Sequence, residues 1–291
     1  MFFGSIPALV TPFSGGRVAE DTFRAFVDWQ IEQGSAGLVP CGTTGEVATL
    51  NADEHRMVIA TAVEAAKGRV PVIAGTGTYN TAASIERTKI AADVGADAVL
   101  VVVPYYNKPS QAGLVAHFTA IADASPLPIV VYNVPSRTVA DIAVETLAEI
   151  SKHPKIVAVK DATGNLARVS AQRLACGEDF CQLSGNDDMA LGFNAMGGVG
   201  CISVSANVAP RLCADFQKAM RDGRWDDALK LQDRLYPLHA ALFTDASPAP
   251  TKYALSRIRT DFPSELRLPL VEASDASKRA VDAALEHAGL I

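Results

Sequence analysis

Eight times along residues 1–223, a short apolar run gives way to a polar or glycine-containing turn and then to a helical pattern. The runs are Ile6–Phe13, Gly37–Cys41, Val70–Gly75, Ala98–Pro104, Pro128–Val134, Ile156–Lys160, Cys181–Ser184 and Gly200–Val204. Most are continuously apolar, as parallel strands covered on both faces are, and do not alternate as half-exposed strands do. The intervening helical stretches are Asp21–Gln33, Asp53–Lys67, Thr81–Val94, Gln111–Ala124, Val144–Lys152, Leu166–Cys176, Asp188–Met196 and Ala209–Arg221, several of them stopped by a glycine such as Gly34, Gly68, Gly95 or Gly223. Eight strand–helix units predict an α/β chain folded as a (β/α)8 TIM barrel. A doubly wound open sheet is the competing arrangement. It calls for a Gly-rich dinucleotide turn after the first strand, and Thr11–Arg17 is not one. Beyond residue 223 the strand pattern stops, and Arg224–Thr244, Pro250–Arg259 and Ser274–Ala288 read as helices. The expected organisation is a barrel over residues 1–223 that carries the active site, with a C-terminal helical extension over 224–291.

Composition removes several classes of function. With 49% apolar and 20% charged residues in 291, the chain is globular and long enough to hold a core without disulfide or metal. The net charge is −6 and no basic run stands out, so a nucleic-acid partner is not expected. No uninterrupted apolar run approaches the ~18 residues that span a bilayer. The N-terminal MFFGSIPALVTPF lacks a basic leader and meets Pro7 and Pro12 early, so it reads as a strand and not a signal peptide. Five cysteines (Cys41, Cys176, Cys181, Cys201 and Cys213) form no CxxC pair and have no histidine pair at finger spacing. Reduced thiols in a soluble cytoplasmic protein, with no metal site, are the expectation.

A barrel places its chemistry at the C-terminal ends of the strands. Those ends carry Cys41-Gly-Thr-Thr-Gly-Glu46, Gly75-Thr-Gly77, Pro104-Tyr-Tyr-Asn107, Tyr132-Asn-Val-Pro-Ser-Arg137, Lys160-Asp161, Ser184-Gly-Asn-Asp187 and Ser203-Val204. Hydroxyls dominate, with one lysine and one arginine, and no His–carboxylate cluster suits a metal. Lys160 follows Ile156-Val-Ala-Val159, so its stem leaves an apolar strand at the barrel mouth. Pairing with Asp161 is one use for such a lysine; Schiff-base formation with a carbonyl substrate is the other. An amine must be neutral to attack, and at the reference pKa only about one lysine in 2,500 is neutral at pH 7. Desolvation in an apolar barrel raises that fraction. Tyr132, from the neighbouring strand end, has a phenol able to relay protons on and off a carbinolamine, or simply to pack in the core. In Gly42-Thr-Thr-Gly45 the glycines allow close backbone approach, and the Thr43 and Thr44 hydroxyls and amides suit a carboxylate. Lacking a P-loop lysine, this turn does not suit a nucleotide. Arg137 has the fork that clamps a second carboxylate.

Taken together, Gly42-Thr-Thr-Gly-Glu46, Tyr132-Asn-Val-Pro-Ser-Arg-Thr138, Val159-Lys-Asp-Ala-Thr-Gly164 and Ser184-Gly-Asn-Asp187 resemble, in order and spacing, the dihydrodipicolinate synthase family of pyruvate-dependent class I aldolases and lyases. The resemblance runs through essentially the whole chain. It implies condensation of pyruvate on Lys160, attack of the enamine on L-aspartate 4-semialdehyde, and cyclisation to a heterocycle without any cofactor. It also implies a proton relay of Tyr132, Thr43 and Tyr106, the last reaching into a neighbouring subunit of a homotetramer built from dimers. Thr44 would hold the pyruvate carboxylate and Arg137 the semialdehyde, with Gly185 and Ile202 at pocket-lining positions. Another pyruvate-dependent aldolase acting on a sugar acid, and a non-catalytic acid-binding barrel, are the alternatives.

One region departs from the family. Members inhibited by free lysine carry a polar residue where this chain has Val47, a His at Ala52, an Asn at Tyr79 and a Glu at Ala83, while His55 and Tyr105 are kept. Weak or absent lysine inhibition is therefore expected, since a ligand ammonium lacks its carboxylate partner.

Overall fold

The computed structural model describes residues 2–291. Strand β1 (Gly4–Pro7) is followed by a two-rung antiparallel hairpin, β2 (Phe13–Ser14) and β3 (Arg17–Val18). Then come β4 (Ile73–Gly75), β5 (Ala98–Val102), β6 (Ile129–Asn133), β7 (Ile156–Asp161), β8 (Cys181–Ser184) and β9 (Gly200–Ser203). All but the hairpin form one parallel sheet in the order β1-β9-β8-β7-β6-β5-β4. Leu38 and Val39 close it into a ring: Val39 bridges Ala8 and Leu38 bridges Val72. The fold is the expected TIM-barrel type.

Two expected strands are corrected. Gly37–Cys41 contributes only those two bridges, because Pro40 has no N–H to give and Cys41 turns the chain at φ 56°. The run Ile6–Phe13 ends as a strand at Pro7; the Asn207 side chain takes the Val10 amide at 3.0 Å, and Phe13 opens the hairpin.

Strand continuity in apolar residues has its cause in two cores. Val130, Tyr132, Ala158, Leu183 and Ile202 point into the barrel, whereas Ile129, Val131, Val159 and Cys201 point out to the helices. Each fully buried Val or Ile contributes roughly 1.5–3 kcal/mol. The surrounding helices are α1 (Glu20–Glu32), α2 (Ala52–Ala66), α3 (Thr81–Asp93), α4 (Gln111–Ala124), α5 (Pro135–Thr138), α6 (Val144–Ile150), α7 (Ala167–Cys176), α8 (Ala190–Ala195) and α9 (Pro210–Arg221). In α1 the buried Phe23, Phe26, Val27 and Gln30 recur at the helical period. Asn51 and Glu54 form a capping box that starts α2, while Asn80 and Ser110 cap α3 and α4.

After the barrel run α10 (Trp225–Ala241), α11 (Ala249–Ile258) and α12 (Asp275–Ala288). Helix α10 packs on α9 and α12, and its end reaches the barrel mouth. No described helix is long and apolar enough to cross a membrane. All five cysteines are free thiols, and burial raises the pKa of each.

Candidate active site

Period-two alternation on β7 sends Ala158 and Lys160 inward and Asp161 outward. Asp161 is fully engaged there: it accepts from Thr163 N and Oγ1 at 2.9 and 2.6 Å, from Arg168 Nε at 3.2 Å and from Gln172 Nε2 at 2.7 Å. Pairing with Lys160 is thereby excluded. Lys160 is 5% exposed, and its Nζ lies 4.2 Å from the centroid of the Tyr132 ring. Strand register sets this contact, since Tyr132 on β6 pairs with Lys160 on β7.

Both side chains open into a cavity of about 440 Å³ at the C-terminal ends of the strands. Thr43, Thr44, Arg137 and Gly185 line it too, so it gathers six of the eight expected residues. Tyr106 and Ile202 lie elsewhere. Tyr106 is 89% exposed in the loop after β5, at φ 70°, and Ile202 is fully buried in the inner core. A larger groove, about 530 Å³, lies between Trp29, Arg211 and Arg259 and contains none of the motif residues.

Backbone geometry shapes the cavity wall. The Gly42–Gly45 turn closes through Gly45 N to Gly42 O and Glu46 N to Thr43 O, both 3.1 Å, and Thr11 Oγ1 donates to Gly45 O at 2.8 Å. It is flanked by two non-glycine residues in the left-handed region, Cys41 at φ 56° and Glu46 at φ 55°. Such residues cost about 1–3 kcal/mol each and persist where the surroundings over-determine them. Gly185 allows the β8 loop to lie against β7: a Cβ there would stand 2.6 Å from Ala162 Cβ. Arg137 sits on the single-turn α5; Pro135 starts it and Val139, at φ 61°, ends it.

The cavity wall also includes residues to which the sequence assigns no role, Asp187, His239, Phe243 and Ser247 among them. Asp187 accepts from Ser203 Oγ at 2.5 Å, Val204 N at 2.8 Å and Ser205 N at 3.1 Å, tying the β8 loop to the end of β9. His239, Phe243 and Ser247 come from α10 and the segment after it. His239 Nδ1 stands 2.7 Å from Ser205 Oγ; burial lowers its pKa, opposed by Asp187 and Asp188. Asp187 lies within a quoted motif, whereas nothing in the helical pattern around His239 distinguishes it from an ordinary core position.

Known proteins match this chain over nearly its whole length. A model of the Dihydrodipicolinate synthetase family matches residues 1–288. The 4-hydroxy-tetrahydrodipicolinate synthase of Zymomonas mobilis subsp. mobilis is 66% identical over 291 residues, covering all of both chains. Among solved structures, the chloride-inhibited dihydrodipicolinate synthase of Acinetobacter baumannii complexed with pyruvate superposes with TM-score 0.97 at 40% identity, covering all of both chains. The enzyme of Cyanidioschyzon merolae with lysine bound gives TM-score 0.96 at 37% identity, covering 100% of this chain and 99% of that one. The family model and the full-length relatives agree with the barrel fold, and the chain belongs to the dihydrodipicolinate synthetase family.

Proposed function

We propose that this protein is a lyase that condenses pyruvate with L-aspartate 4-semialdehyde to give 4-hydroxy-tetrahydrodipicolinate, a step of lysine and diaminopimelate biosynthesis. The observation that carries the reading is Lys160: a buried amine on the Tyr132 ring, facing the cavity, with the adjacent Asp161 bound to other groups. Its neutral amine attacks C2 of pyruvate, and loss of water from the carbinolamine leaves an imine. Removal of a C3 proton gives the enamine, whose C3 attacks the aldehyde carbon. The amino group of the semialdehyde then adds to C2, and cyclisation releases Lys160.

Tyr132 and Thr43 relay the protons, and Thr44 receives the pyruvate carboxylate. Arg137 takes the carboxylate of the semialdehyde through its fork. Ile202 and Gly185 complete the pocket, Ile202 from the core beneath it. Tyr106 acts in the cavity of a neighbouring subunit, in a homotetramer of dimers; its position outside its own cavity supports this. The enzyme works in the cytoplasm. Incubation with pyruvate and L-aspartate 4-semialdehyde should consume both, while sugar aldehydes should not replace the semialdehyde. Faster consumption with a sugar aldehyde would overturn the choice of acceptor.

Inhibition by free lysine is weak or absent. Val47, Ala52 and Ala83 offer no side-chain hydrogen bond, and Tyr79 packs edge-on against Tyr105 with ring centroids 5.3 Å apart. A titration should leave activity unchanged at sub-millimolar lysine; inhibition in that range contradicts this reading.

A further inference from the structure

Among the described lysines and arginines, Lys252 on α11 is the most completely enclosed, with no exposed surface. Its Nζ stands 2.5 Å from Glu46 Oε1, whose side chain is equally enclosed, and 4.2 Å from the centroid of the Phe13 ring. The same nitrogen donates to Glu265 O at 2.7 Å. Glu46 Oε2 accepts from Arg267 N at 3.2 Å. The Arg267 guanidinium grips Glu54 with bonds of 2.5 and 2.7 Å, and donates to Thr49 O at 2.9 Å. The Glu265 carboxylate takes the amides of Gly15 and Gly16 in the hairpin. Segments from the chain's last quarter therefore hold Glu46 by an ion pair at one oxygen and a backbone amide at the other.

A buried ion pair is weak evidence for stability, since apolar residues of the same volume often do as well. This one has another consequence. Glu46 holds the left-handed end of the Gly42–Gly45 turn, two residues from Thr44, and Cys41 holds a left-handed conformation at the other end. A carboxylate anchored through both oxygens leaves that backbone little freedom. We infer that Lys252 is a positioning residue: acting through Glu46, it fixes the Thr43–Thr44 turn in the conformation that receives the carboxylate of the 2-oxo acid. Helix α11 thus takes part in substrate binding without touching substrate. The inference rests on the reading of that turn given under the proposed function.

Protonation makes the device testable. Burial pushes the Lys252 ammonium down to about 8, against the attraction of Glu46 and Glu265, with Arg267 acting in the same direction as burial. Above that pH Glu46 faces a neutral amine and the turn keeps only the weaker anchor of the Arg267 amide. The test measures pyruvate KM and kcat against pH for the full-length wild type, Lys252→Arg and Lys252→Met, with borohydride trapping at saturating pyruvate. In the wild type KM should rise above pH 8 more steeply than kcat falls. Lys252→Arg, charged throughout, should lack that rise. Lys252→Met should raise KM by ~10-fold or more at neutral pH while still forming the trapped adduct at saturation. A flat wild-type KM profile, the same alkaline rise in Lys252→Arg, or a folded Lys252→Met with unchanged KM would overturn the inference. Should Lys252→Met fail to fold, the other two profiles decide. A wild type that traps no adduct would refute the Schiff base itself, a separate failure.

Discussion

Two lysines are buried in this molecule, and their neighbours separate their uses. Lys252 is locked to Glu46 and to a backbone carbonyl, with every direction filled. Lys160 lies on an aromatic ring at the edge of a cavity, and two carboxylates near it are occupied: Asp161 by Arg168 and Gln172, Asp187 by Ser203 and the amides of Val204 and Ser205. Burial disfavours the charge on Lys252. What distinguishes a nucleophile is that its lone pair, once the proton is lost, has open space before it. Lys252 has none.

The strongest way to break this contrast is to remove each amine. Lys160→Ala should lose nearly all turnover, ~10³-fold or more in kcat, with its circular dichroism unchanged. Lys252→Met should chiefly affect pyruvate KM. Equal losses of kcat in the two variants would erase the distinction between them. Tyr132→Phe sharpens the picture at the Lys160 end. Its ring still supports the amine, but without the phenol kcat should fall ~10²-fold, read in steady-state assays; wild-type kcat would remove Tyr132 from the relay.

The smallest effect concerns a buried group whose titration bears on stability. His117 is 6% exposed, its Nδ1 stands 2.9 Å from Thr81 Oγ1, and burial pushes its pKa down to about 4. The unfolded chain takes up this proton near the ordinary histidine value of 6.5, which the native state does not. Below pH 6.5 the unfolded state therefore binds more protons, and stability falls as pH falls from 6.5 to 4, by at most ~3 kcal/mol from this group. His55 and His239 shift the same way. Thermal unfolding of His117→Gln between pH 6.5 and 5 should show a shallower loss of Tm than the wild type. An identical slope would assign the acid sensitivity elsewhere.

Legibility in the sequence followed locality. Lys160 and Tyr132 were readable because each ends an apolar run whose period assigns its face, and the Gly-Thr-Thr-Gly turn because its glycines are adjacent. The run Gly37–Cys41 suggests a full strand, but only Leu38 and Val39 pair, since Pro40 limits the pairing. The clamp on Glu46 was invisible: its partners Lys252 and Arg267 are ordinary residues of a helix and a connector, brought there only by the packing of the last helices. His239 is another such residue, an ordinary helical position that only packing brings to the cavity. Tyr106 was placed by resemblance alone, and the chain by itself leaves it exposed and away from its own cavity.

The central claim, that the Lys160 amine captures a 2-oxo acid as an imine, has one direct measurement. The protein is reduced with borohydride in the presence of pyruvate and its peptides are then mapped by mass. A single reduced pyruvyl group on the peptide containing Lys160, absent from Lys160→Ala and absent without pyruvate, is the predicted result. No adduct, or an adduct on another lysine with Lys160 unmodified, would contradict the account.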